Sequence, residues 1–187
     1  MNYQQLRQQA GGSLSFRGQT ISGVTGTMAA GLAADAAVCG IRYPLAATAK
    51  AAVLWLHLHY VCIGAFTTPV TAGRRLHLIR GSGGDPSGGT ALSISRDQSD
   101  LTETLLTGQI ATTAALTMTG VVFTSEEVKH RMLLAHAGAS GASYDEIWRF
   151  KNPQILLPGQ LLAITAGATF DAAGTWQLNV KGEAVEF

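Results

Sequence analysis

The stretch AAVLWLHLHYVCIG, Ala51 to Gly64, decides the fold. From Val53 to Cys62, Leu54, Leu56, Leu58, Tyr60 and Cys62 fall on one side of an extended chain, and Val53, Trp55, His57, His59 and Val61 fall on the other. Successive side chains of a strand point to opposite faces, so this period of two predicts a strand with one face in a core. It also sets His57 and His59 side by side on the second face. Either they are metal ligands or they are the outward residues of a strand.

Working outward, TTPVTAGRRLHLIRGSGGDPSGGTALSIS (67–95) reads as a Pro- and Gly-punctuated turn, then a strand near Arg75 to Arg80. A glycine-rich hairpin loop between Gly81 and Gly89 and a short strand at Ala91 to Ser95 follow. LLPGQLLAITAG (156–167) sets Pro158-Gly159 between two apolar runs. The ending GTWQLNVKGEAVEF (174–187) turns Trp176, Leu178 and Val180 inward and Gln177, Asn179 and Lys181 outward. Many short strands with closely spaced turn signals predict an all-β chain, an antiparallel β-sandwich that is jelly-roll-like. The expected core is Leu54, Leu56, Leu58, Leu76, Leu78, Leu162, Ile164, Trp176, Leu178 and Val180. One segment stays open between two readings. TSEEVKHRMLLAHAG (124–138) has a capping box at Thr124 and Glu127 and fits a helix from Ser125 to His136, yet it also alternates as a strand.

The first 27 residues, rich in Gln, Gly, Ser and Thr, keep no period for long. They are read as an extended N-terminal arm ahead of a domain at 28–187, either a disordered terminus or a latch. As a latch, Tyr3, Leu6, Phe16 and Ile21 are separate apolar anchors on a partner, and Arg7 and Arg17 pair with its carboxylates.

Only 13% of the 187 residues are charged and 47% are hydrophobic, against the roughly 25% charged that is usual. So few charges cover a lone monomer poorly, and a homo-oligomer is expected. The net charge of +1, with basic residues scattered, gives no footprint for direct contact with nucleic acid. The start lacks a basic-then-apolar leader, and no run of about 18 apolar residues occurs. A protein made in the cytoplasm that does not span a membrane is expected. Cys39 and Cys62 sit in apolar settings without a second pair for a zinc framework and read as buried small hydrophobes.

The candidate chemistry is thin. A jelly roll of the cupin type opens its metal site with two histidines at this spacing, then needs a nearby carboxylate and a later histidine. No Asp or Glu follows His59 until Asp85, and no histidine follows Pro158-Gly159. A cupin-like metal enzyme therefore rests on His77 completing a set with His57 and His59. GASGAS (138–143) is not a nucleophile elbow. GSGGDPSGG (81–89) lacks the ending of a phosphate-cradling loop. The neighbours Glu126-Glu127 and Asp145-Glu146 point different ways on any regular element. No catalytic residue, cofactor or metal is assigned.

GTMAAGLAADAAVCGIRYP (26–44), TPVTAGRRLHLIRGSGGDPSGG (68–89) and the closing GTWQLNVKGEAVEF together resemble small virion structural proteins of tailed bacteriophages. That family shares a MAAGLAA entry, an AG turn into a strand ending in Arg, a glycine-rich loop and a closing GTW strand. The resemblance spans about residues 26 to 187. It implies a non-enzymatic decoration or cement protein of the capsid, often trimeric, located in the virion and bound to the major capsid protein or another virion protein. A tail, baseplate or fibre-associated module is the alternative. The Gln-rich start, the histidine pair and EEVKHRMLLAHAG depart from the family pattern.

Overall fold

The computed structural model describes residues 17–28, 31–47, 51–62, 74–96, 106–135, 145–170 and 175–186. Every regular element among them is a strand: β1 (Arg17–Val24), β2 (Ala37–Arg42), β3 (Ala52–Cys62), β4 (Arg74–Gly83), β5 (Thr90–Ala91), β6 (Ser93–Arg96), β7 (Thr107–Ile110), β8 (Val121–Ala135), β9 (Asp145–Arg149), β10 (Gln154–Leu156), β11 (Gln160–Ala166) and β12 (Trp176–Glu186). They form two six-stranded antiparallel sheets packed as a β-sandwich. Sheet A has the order β10-β3-β12-β1-β6 with β9 also on β3, and sheet B has the order β5-β7-β2-β11-β4-β8.

The alternation of β3 and β12 builds the core. The two strands pair from Trp176↔Cys62 to Glu186↔Ala52, so their inward residues line up across the sheet. All the residues expected in the core lie in the main buried cluster, Leu54, Leu58, Trp176, Leu178 and Val180 among them at 0% exposure. From sheet B come Leu76 and Leu78 of β4 and Leu162 and Ile164 of β11. Strand β11 is buried on both sides, which explains why LLAITA reads as an unbroken run. The turn before it is also legible in the sequence. Pro158 presets the first central position, Gly159 takes φ 84°, and Gln160 N–H donates to Leu157 O at 2.9 Å, as a type II turn requires.

Two expectations change and one open reading is decided. Residues 17–24 are not part of an arm: β1 lies inside sheet A between β12 and β6, paired with β12 from Arg17↔Glu186 to Val24↔Asn179. Ile21 is 2% exposed, an inward core residue opposite Gly182 rather than an anchor for a partner. Arg17 opens that strand, and Tyr3, Leu6, Arg7 and Phe16 lie outside the described residues. Pairing with the partner strands on both sides overrides the low periodicity of RGQTISGV, whose large buried side chains are one apolar residue, Ile21, and one polar residue, Gln19.

The open segment 125–135 is strand, not helix, paired with β4 from Arg74↔Ala135 to Gly83↔Val121. The would-be capping hydroxyl of Thr124 instead donates across the sheet to Arg80 O at 3.0 Å.

The glycine-rich loop is not a hairpin, because β4 and β5 stand four strands apart in sheet B. It crosses the outer side of that sheet and is pinned there. Pro86 lies over Gly40, where an added Cβ would meet the ring at 2.9 Å, and Ser87 pairs with Thr117. Met118, Val121 and Phe123 continue this cover over Ile79, Leu161 and Ala163.

Candidate functional site

The histidine pair sits on the open side of the sandwich, the outer face of sheet A. His57 is exposed and His59 half-buried. Registration fixes their neighbours: His57 stands between Arg149 of β9 and Lys181 of β12, and His59 between Ile147 and Asn179. These six residues surround a depression of about 310 Å³. A second depression, of about 450 Å³, lies beside it over Trp55, Lys181, Glu183 and Thr20. Along the far edge the face ends in a hydroxyl pair, Thr20 Oγ1 to Ser95 Oγ at 2.6 Å.

His77 does not join this group. It lies between the inward Leu76 and Leu78 on β4 and so turns to the outer face of the other sheet, near Gly167. Metal donors must stand about 2 Å from one ion, whereas packed sheets are themselves about 10 Å apart. Around His57 the neighbours are cations, which repel a metal ion rather than complete its shell. Among the described residues no group of three or more His, Cys, Asp or Glu side chains is placed to hold a metal.

Two arrangements escaped the sequence reading. Arg74 is fully buried at one end of the sandwich, its guanidinium 5.1 Å from the centre of the Phe170 ring. Phe170 and Tyr60 both pack against Trp176 with tilted rings, at 5.8 and 5.5 Å between ring centres. Burial pushes the Tyr60 phenol up to about 12, with Cys62 adding to the rise and the Arg74 guanidinium opposing it. Counting back by twos from Leu78 and Leu76 puts Arg74 inward, so the signal was present in RRLHL. The second arrangement is the Arg42–Asp85 ion pair, 3.0 Å, in which Arg42 also donates to Gly83 O. It fastens the crossing loop and borders a cleft of about 660 Å³ that Leu92, Ile94 and Leu106 line. Nothing in the sequence joins two residues 43 positions apart; the crossing of the loop does.

Cys39 and Cys62 are buried and not joined in a disulfide, as expected, and burial alone pushes Cys39 up to about 12.

The arrangement suits non-covalent contact with an anion on the face of sheet A. Comparison with known proteins gives no match: no family model, no curated protein and no solved structure matches the chain.

Proposed function

We propose that the protein is a non-enzymatic structural component of a tailed bacteriophage particle, a decoration or cement protein that binds and stabilises the capsid lattice. The observation that carries this reading is the pairing of the first and last described strands. β1 and β12 lie together in the interior of sheet A, so the first and last described strands are tied into one unit. Such a unit serves as a passive building block, and the motif resemblance over residues 26 to 187 supplies the particle. In this reading the sandwich is jelly-roll-like, the protein acts as a trimer, and Tyr3, Leu6, Arg7 and Phe16 contribute to attachment on the major capsid protein. Several weak contacts held in one oligomer attach firmly through high effective concentration.

The test is to locate the protein in purified particles by electron microscopy with a specific antibody, and to measure particle melting with and without it. Regular labelling of the head and a lower melting temperature without the protein support the proposal. Labelling of the tail alone, or absence from particles, overturns it.

A further inference from the structure

The outer face of sheet A carries a row of cationic groups with no carboxylate in it. Arg149, His57 and Lys181 are direct register partners on adjacent strands, and all are exposed. With strands about 4.8 Å apart, the row runs roughly 10 Å. A guanidinium and an ammonium thus flank one imidazole in register, two fixed cations on either side of a ring and no carboxylate between them, and like charges so close in a sheet oppose its stability. No ion pair joins these residues to a carboxylate among the described residues. Where a carboxylate does stand near a polar neighbour in this sheet the two are joined: Gln19 Nε2 donates to Glu186 Oε1 at 2.7 Å. In the next row Ile147 is 59% exposed beside the same depression.

We propose that this row docks an extended acidic segment of a partner protein. The carboxylates of the segment lie along Arg149, His57 and Lys181, and an apolar side chain next to them covers Ile147. In an extended peptide, residues i and i+2 are about 6.8 Å apart on one side, so two carboxylates fit within the row. Charge complementarity selects the occupant. The row is short, Glu183 follows Lys181 two positions on along the same face, and the whole chain carries only +1, so among the described residues this face offers no basic track for a phosphate backbone to follow. The inference holds whether or not the chain belongs to a virion.

The probe is a fluorescein-labelled ten-residue peptide of alternating Glu and Val, read by fluorescence anisotropy against the full chain. A Lys-Val peptide and a single-stranded DNA decamer serve as comparisons. The Glu-Val peptide binds, and raising NaCl from about 50 to about 300 mM weakens it several-fold as charges are screened. Arg149→Gln and Lys181→Gln each weaken it about threefold and the double variant about tenfold, the scale of exposed charge pairs. Ile147→Ser weakens it further, and all variants melt within a few degrees of the parent. Failure of the Glu-Val peptide to bind overturns the proposal, as does undiminished binding by a folded double variant. Equal or tighter binding of the DNA decamer also overturns it and makes the row a phosphate contact.

Discussion

The two outer faces of the sandwich are treated differently by the chain. Sheet B is covered by its own chain: the 84–89 loop, Met118, and Val121 and Phe123 at the start of β8 pack over β2, β11 and β4, so Leu161 and Ala163 are 0% exposed although they point away from the main core. Sheet A has no such cover over the centre of β3 and β12 among the described residues, and it presents His57, Lys181 and Arg149 to solvent. On the covered face, packing dictates residue type. On the open face stability asks little, so an unfavourable set of neighbours there points to a contact made with something else.

The largest effect expected is from truncation within sheet A. Deleting residues 2–25 removes β1 from between β12 and β6, and the product should show no cooperative melt by circular dichroism. An arm separable at residue 27 would leave the product folded.

Next is the contrast between faces. Leu161→Ala, on the outer side of sheet B, should cost about 2–5 kcal/mol in urea denaturation, as much as Leu56→Ala in the main core, because both side chains are buried. Asn179→Ala on the outer side of sheet A should change stability by less than about 0.5 kcal/mol. Equal costs at Leu161 and Asn179 would mean that the two outer faces contribute alike to stability.

Alkaline pH should act through the inner face. Both Cys39 and Tyr60 are raised by burial, to about 12 from 9.0 and 10.0, so the unfolded chain releases these protons first. Their contribution is intact below about pH 9 and is lost as pH rises from there towards 12, by up to about 1.4 kcal/mol per pH unit for each group. Cys39→Ala should flatten the part of the curve that begins near pH 9.

Removing the fastener of the covered face, Arg42→Ala, should cost about 1 kcal/mol, since Asp85 is 72% exposed and the ion pair is therefore screened. Protease cutting within 84–89 should quicken. The smallest effect is Lys181→Gln, which should leave the melting temperature unchanged or raise it by a degree or two through relief of like-charge contact. A clear loss of stability would mean that the row serves the fold itself.

Much of this was legible in the sequence because burial imposes a period. LWLHLHYVC, LHLIR and WQLNV each announce a strand and its inward face, and Pro158-Gly159 names its turn, since these signals depend only on residues two to four positions apart. The same rule places Arg74 inward, against the expectation that arginine stays in water. What the sequence left open needed partners from far along the chain. Whether TSEEVKHRMLLA is helix or strand is decided by β4, and whether RGQTISGV is arm or core strand is decided by β12 and β6, because a backbone takes the hydrogen bonds its neighbours offer. His57 could be placed outward from sequence alone. Only the tertiary structure sets Arg149 and Lys181 on either side of it, because pairing of β3 with β9 and β12 brings residues from distant parts of the chain within one interstrand spacing.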